Sequence, residues 1–452
     1  MRRSSDGLRI FIGILADGLR DFFMPRYDVI QEFITEHGGE DPMRLLLSRS
    51  KWPDIDMDAV VGTIEGRKRM EKKVPSWTTG GLIYPGTLCT EQCSSEVTAL
   101  LKASIARRIA GEGFRIADLT GGAGVDSWAF SLKAKEVLHN EADSKLSDAV
   151  QYNFRKLGRE NVRFSSFAVV PDNVPEEGNS RHIRSLLEDF RPDIIFLDPA
   201  RRSSSGKKVF LLEDCSPDVI PLMPSLLRES PEVLMKLSPM ADIPMVVSRL
   251  GKGVREVHVI GHEGECKELL IRISRDYDGE AALYVHEGGA EISLPISTEK
   301  GCVPYFLESE ASIEELAREE AALFIPGKAI SKAGLFNWMS SHWGIPKAAP
   351  SAHLYFIRRK DSYPEESSLM GRALRIIRVL PLSSSNMKAL GKEFPKADVL
   401  AKDIPLSSEE LAKKMGVSSG GEFMIVGCPV HCSQNPRGKD GKWLFVCRKP
   451  NK

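Results

Sequence analysis

No stretch of the chain approaches about 18 consecutive apolar residues, which excludes a transmembrane helix. Net charge is missing too. The 62 basic residues are balanced by 62 acidic ones, so overall charge nominates no nucleic-acid or membrane partner, and any such footprint has to be regional. Cysteines are few, eight in 452 residues and irregularly spaced, which suits a reducing cytoplasm and not a disulfide-stapled secreted domain. Internal repeats and low-complexity tracts are absent, which argues against solenoid and fibrous architectures. Arg9 to Phe23 is apolar in places, but Asp17, Arg20 and Asp21 interrupt it. That segment reads as an amphipathic helix, not a signal peptide.

What is present is globular: 42% apolar and 27% charged residues, in a chain long enough for several domains. Residues 1–88 read as a helical region. Val29, Ile30, Phe33 and Ile34 recur at helical spacing, Asp41-Pro42 opens a second helix, and Asp58 to Lys73 carries Val60, Val61, Ile64 and Met70. Trp77 to Pro85 is punctuation. Glu91 to Ala110 follows as a helix with Val97, Leu100, Leu101, Ile105 and Ile109 on one stripe.

From Phe114 the texture changes to short β-type runs separated by helix-length gaps: Arg115–Leu119, Glu136–Asn140, Asn161–Phe164, Asp193–Leu197 and Glu232–Leu237. Such alternation indicates βαβ units and a parallel sheet. Val254–Ile260 and Glu268–Ile273 are too close together for a helical crossover, so they are expected to pair antiparallel. The fold class is therefore α/β, a seven-stranded Rossmann-like sheet over residues 89–276. A small α+β segment (277–370) is expected next, with short strands at Ala281–Val285 and Glu291–Leu294 and a helix at Ile313–Ala322. A further α/β domain (371–452) should follow, with a strand at Arg372–Leu380, a capped helix at Leu406–Met415, and strands at Glu422–Val426 and Trp443–Arg448. Residues 371–452 hold 15 basic and 7 acidic residues, the regional imbalance that the whole chain lacks.

The informative segment is Ile116-Ala-Asp-Leu-Thr-Gly-Gly-Ala-Gly-Val-Asp126. A hydrophobic strand ends in Asp118, and a glycine-rich turn (Leu119, Thr120, Gly121, Gly122, Gly124) feeds a helix beginning near Ser127. A dinucleotide fingerprint would place a third glycine where Ser127 stands. A carboxylate at Asp118 is badly placed beside a pyrophosphate, which seeks N–H groups, but well placed beside a ligand carrying an ammonium and a sulfonium. The next strand ends at Glu141, with Asp143 the near alternative, at an offset that suits a carboxylate gripping ribose hydroxyls. The fourth strand ends in Asp198-Pro-Ala-Arg-Arg202, placing Asp198, Pro199, Arg201 and Arg202 where open α/β sheets bind ligands.

These residues resemble the class I S-adenosylmethionine-dependent methyltransferases. The likeness covers roughly residues 89–276 and rests on D-L-T-G-G-A-G-V-D (118–126), Glu141, D-P-A-R-R (198–202) and the hairpin that closes the sheet. More narrowly, E-Q-C-S-S-E (91–96), L-D-P-A-R-R (197–202), D-C-S-P-D (214–218) and K-L-S-P-M (236–240) resemble a bacterial group carrying a ferredoxin-like segment and a C-terminal THUMP-like domain. THUMP modules are associated with RNA modification.

The resemblance implies S-adenosyl-L-methionine as cofactor. Asp118, Leu119, Thr120, Gly121, Gly122, Gly124 and Asp126 would face its methionine part, Glu141 its ribose, and Asp198 the methyl-transfer site. Asp198 is the candidate proton acceptor, and Arg201 or Arg202 could bind a phosphate or a base edge bidentately. Thr120 departs from the commoner glycine. Ser165-Ser-Phe167 offers no acid for the adenine amine. The loop after Asp198 also lacks the Pro-Pro-aromatic form that stacks a base for N6-adenine chemistry.

The implied function is methylation of a base in structured RNA, rRNA or tRNA, with a guanine amine as one acceptor; no membrane or obligate protein partner is evident. The alternatives are a methyltransferase acting on a protein or small molecule, and a non-catalytic RNA-binding protein that keeps the cofactor fold. Cys215 reads as a buried thiol more than a nucleophile. Asp214 and Asp218 read as shaping their loop. Lys236 reads equally as structural or as lining the crevice. Cys428, His431, Cys432 and Cys447 lack the second paired motif of a zinc site and read as ordinary strand residues, with no metal expected.

Overall fold

The computed structural model describes residues 26–77, 80–201, 212–358, 370–434 and 440–450. The amphipathic helix expected at residues 9–23 and the side chains of Arg201 and Arg202 lie outside the described parts. The chain divides into two compact units. One is residues up to Val254 with Leu270–Asp278; the other is Arg255–Leu269 with Gly279 onward.

The first unit opens with helices: α1 (26–37), α2 (Pro42–Leu47), α3 (Met57–Lys73), α4 (Thr87–Gln92) and α5 (Glu96–Ala110). Aspartates start two of them. Asp41 accepts the Arg44 N–H ahead of α2, and Asp56 accepts that of Ala59 ahead of α3. The single helix expected from Glu91 to Ala110 is two. Ser95 accepts the Thr98 N–H and caps α5, so E-Q-C-S-S-E holds a helix start within it. Ile30, Phe33, Leu45, Val60 and Ile64 form a core with Ala149 and Tyr152 of α7 (Ser144–Lys156), the helix after α6 (Val125–Ser131). Each large apolar side chain buried there contributes roughly 1.5–3 kcal/mol relative to exposure.

Strands β1 (Arg115–Asp118), β2 (Glu136–Asn140), β3 (Val162–Ser165), β4 (Ile194–Leu197) and β5 (Glu232–Leu237) pair in parallel. The order is β5-β4-β1-β2-β3. The chain winds outward from β1 to β3, then restarts on the other side at β4. The crevice at the C-terminal ends of β1 and β4 is therefore the switch point where such sheets take ligands. Strand β7 (Glu265–Ser274) lies next to β5, and β6 (Val254–His262) next to β7. Only Glu263 and Gly264 connect β6 to β7. Both have positive φ (52° and 75°), the two-residue turn that a tight antiparallel hairpin requires. The expected five parallel strands with an antiparallel hairpin are present.

The second unit holds two further strands beside β6. Strand β8 (Ala282–Glu287) pairs parallel with β6, and β9 (Ala290–Pro295) pairs antiparallel with β8. The sequence assigns these strands to the 277–370 segment, and their pairing is set by β6, which precedes that segment. The helix expected at Ile313–Ala322 ends sooner. Helix α8 (Glu310–Arg318) stops before Glu320, whose φ is 55°, and Ala322 already begins β10 (Ala322–Pro326).

Strands β10, β11 (Tyr355–Ile357), β12 (Gly371–Pro381), β13 (Asp398–Ala401), β14 (Phe423–Val430) and β15 (Gly441–Arg448) form a six-stranded sheet ordered β11-β10-β12-β15-β14-β13. It is apolar on both faces. On β15, Trp443, Phe445 and Cys447 join a core with Ile313 and Leu316 of α8. Leu444 and Val446 join Leu390 and Leu411 of α9 (Ser384–Glu393) and α10 (Ser408–Met415). Ser407 and Glu410 form the capping box that starts α10.

Candidate active site

Strand β1 delivers Asp118 to the switch point almost fully buried. Its Oδ2 accepts the Ser127 hydroxyl at 2.6 Å, and Oδ1 accepts the Thr120 N–H at 3.1 Å. Burial pushes the Asp118 carboxyl up to about 7. The Ser127 hydrogen bond pulls the other way, and the charge of Asp126 adds to the rise. Such a carboxyl is poised to become an anion when a cation is brought to it.

The turn after β1 is shaped from beneath. A Cβ on Gly121 would stand 2.1 Å from His139 Cε1, so only glycine lets the backbone cross the buried imidazole. His139 Nδ1 lies 3.0 Å from the Ser127 hydroxyl, and burial lowers its pKa to about 3, so the ring is neutral. Gly122 meets no obstruction. Its N–H donates to Glu141 Oε2 at 2.8 Å, while Glu141 Oε1 accepts the Asp143 N–H at 2.9 Å. The strand-tip glutamate and the glycine turn thus touch directly, and Asp143 serves as the N-cap of α7.

Asn140 ties three strand ends together. Its amide donates to the carbonyls of Leu119 (3.2 Å) and Phe167 (2.9 Å), and its Oδ1 accepts Ser165 Oγ (2.9 Å) and Phe167 N (3.1 Å). All four of its hydrogen-bonding positions are used. Leu119 itself is buried, its N–H donating to the Phe196 carbonyl.

Asp198 follows β4 and is partly exposed. Its N–H donates to Thr120 Oγ1 at 2.6 Å, and its Oδ2 accepts Lys236 Nζ at 2.5 Å. The threonine that departs from the commoner glycine is thus the anchor of the fourth strand's tip. Pro199 is buried, and Ala200-Arg201 pairs antiparallel with Cys215-Ser216. The D-P-A-R and D-C-S-P-D segments therefore meet. Cys215 is fully buried, and Asp218 caps the helix Val219–Glu229 through the Ile220 N–H.

Asp126, expected among the cofactor contacts, is turned to other partners. Ser94 donates to its Oδ2 at 2.8 Å, and Lys102 Nζ lies 3.1 Å from Oδ1. Burial would raise this carboxyl, but the Lys102 and Lys236 ammoniums outweigh it and hold it below the ordinary carboxylate range.

Sequence reading missed Ser127 as a ligand of Asp118, and also His139, Asn140, Ser94 and Lys102. Ser127 and Ser94 carry the signal of polarity next to the glycine turn and in E-Q-C-S-S-E, while His139, Asn140 and Lys102 are polar residues within largely apolar runs. In the second unit, Cys428 and Cys447 are buried on adjacent strands, and burial raises both thiols. His431 pairs with Asp440 at 2.7 Å. Among the described residues no group of three His, Cys, Asp or Glu side chains is arranged to hold a metal ion.

The strand order is that of the class I methyltransferase fold, and Asp118, Glu141 and Asp198 stand at three neighbouring strand tips around its glycine turn. The chain couples it to ferredoxin-like and THUMP-like modules: residues 323–364 match the ferredoxin-like domain family and residues 371–449 the THUMP domain-like family.

A crystal structure of a candidate methyltransferase from Porphyromonas gingivalis W83 is 27% identical, covering 94% of this chain and 98% of its own, with a TM-score of 0.76. A candidate methyltransferase from Streptococcus mutans, solved in complex with SAH, is 10% identical over 40% of this chain and 99% of its own (TM-score 0.28). TrmN from Thermus thermophilus is 16% identical over 45% of this chain and 53% of its own (TM-score 0.29). At those two scores the likeness carries no weight. No curated protein matches the chain in sequence. Among the described residues, no helix is long and apolar enough to cross a membrane.

Proposed function

We propose that the chain is an S-adenosyl-L-methionine-dependent methyltransferase acting on a base in structured RNA. The observation that carries the reading is the contact between Glu141 and the Gly122 N–H beside the buried Asp118. It sets one carboxyl suited to a cation beside another suited to a diol. The residues fit the cofactor: Asp118 is a buried acid with no lysine or arginine among its hydrogen-bond partners in the described residues, and the Gly122 side of the turn is open. Asp118 with the Thr120–Gly122 backbone would hold the methionine part, and Glu141 the ribose hydroxyls.

When bound, the cofactor supplies an electrophilic methyl group on a sulfonium whose C–S electron pair stays with sulfur. Asp198 orients an acceptor nitrogen by accepting its N–H, and takes up that proton as the nitrogen gains its fourth bond. The RNA part of the reading is supported by the THUMP-like match and by the basic balance of residues 371–452.

Calorimetric titration with S-adenosylhomocysteine tests the pocket. Binding is expected, with Asp118→Ala and Glu141→Ala each weakening it about tenfold or more. Unchanged affinity in both variants removes the pocket. Transfer of tritiated methyl to bulk RNA from a strain lacking the gene, followed by nucleoside analysis, tests the substrate. Labelling of protein alone would replace the RNA reading.

A further inference from the structure

We propose that Lys236 is a positioning residue for methyl transfer, holding Asp198 as a charge-balanced hydrogen-bond acceptor for an uncharged N–H nucleophile. The inference rests on the cofactor reading above and adds the residue that holds Asp198 and the requirement that the acceptor nitrogen be uncharged. Its origin is strand register. β4 and β5 pair in parallel with Leu197 opposite Met235, so Asp198 and Lys236 come next in line, on neighbouring strand tips.

The Lys236 side chain is 11% exposed and that of Asp198 34%, with Nζ and Oδ2 2.5 Å apart. A lysine this enclosed is costly without an anion, and the carboxylate supplies one. Among the described residues, further titratable groups that face Lys236 come from other elements: Asp126 from the helix after the glycine turn, Lys73 from α3, and the Cys93 thiol at the end of α4.

Asp198 is consequently fixed at two points, its backbone by the Thr120 hydroxyl and its carboxylate by Lys236. Oδ1 has no hydrogen-bond donor among the described residues, which leaves one oxygen to accept from substrate. The pair brings no net charge to the transfer site. An anionic acceptor would meet the carboxylate, and a cationic amine would have no lone pair to offer. An uncharged nitrogen bearing N–H, such as the exocyclic amine of a nucleobase, satisfies both conditions.

The test uses the full chain and two cofactor analogues. Sinefungin carries an ammonium where the cofactor carries its methylated sulfonium; S-adenosylhomocysteine carries no charge there. The readout is the ratio of their affinities by calorimetry. Lys236→Met leaves an unbalanced carboxylate and should shift the ratio toward sinefungin about tenfold, Asp198→Asn should shift it away by a similar factor, and Lys236→Arg should keep it.

A ratio that Asp198→Asn moves and Lys236→Met does not overturns the positioning role. A ratio that neither moves overturns the placement of Asp198. Should Lys236→Met fail to fold, Lys236→Gln takes its place with the same expectation. Failure of the wild-type chain to bind S-adenosylhomocysteine would instead sink the cofactor reading, and this inference with it. Methyl label recovered on oxygen or carbon of the acceptor would overturn the uncharged-nitrogen class while leaving the cofactor site standing.

Discussion

The Thr120 hydroxyl accepts the backbone N–H of Asp198 at 2.6 Å, joining the turn after the first strand to the tip of the fourth. One side chain thereby sets the distance between the cofactor loop and the acceptor loop. Thr120→Val keeps the shape and removes the acceptor, leaving a partly buried N–H unsatisfied. We expect a loss of about 1–3 kcal/mol in urea unfolding, with Thr120→Ser retaining most of the wild-type value. Equal stability of the valine and serine variants would show that the contact contributes nothing.

Asp118 links protons to both stability and ligand binding. Its folded carboxyl titrates at about 7 against an ordinary 3.8, so between those values the folded chain holds a proton that the unfolded chain has released. Its contribution to stability is full below about pH 4 and is lost as the pH rises through about 7. Asp118→Asn should flatten that slope in unfolding measurements across this range.

Because an ammonium favours the Asp118 carboxylate, S-adenosylhomocysteine should bind more tightly as the pH rises from roughly 6 to 8, with release of a proton. Calorimetry in buffers of different ionisation enthalpy reads that proton directly. Proton release that persists in Asp118→Asn would assign it to another group.

The glycines of the turn should respond unequally. Gly121→Ala drives a methyl to 2.1 Å from His139 Cε1, which neither the ring nor the strand can evade cheaply. It should cost about 1–3 kcal/mol or more and abolish ligand binding. Gly122→Ala meets open space and only the penalty of φ +53°, about 1 kcal/mol. Thermal unfolding midpoints of the two variants compare them, and the reverse order would contradict the geometry.

Lys102 and Asp126 form a buried ion pair with Ser94. Lys102→Met should destabilise by about 3–5 kcal/mol, since it strands a buried carboxylate. Adding Asp126→Asn should recover a large part of the loss. A double-mutant cycle in denaturant measures the coupling, and additive losses would mean that the two groups do not communicate.

The sequence on its own determined the features that are local in the chain. Alternating strand and helix lengths, Asp118 just ahead of a glycine turn, Glu141 and Asp198 at the ends of apolar runs, and the close spacing of β6 and β7 all follow from neighbours a few residues apart. Tertiary structure alone decided the pairings across distance. Thr120 meets Asp198 from 78 residues away, and Lys236 meets it from 38. His139 beneath Gly121, the diversion of Asp126 to Lys102, and the enlistment of β8 by β6 are of the same kind. A residue's type states which hydrogen bonds and charges it can offer. Which partner takes them depends on strand register and close packing, and those exist only once distant segments of the chain are in contact.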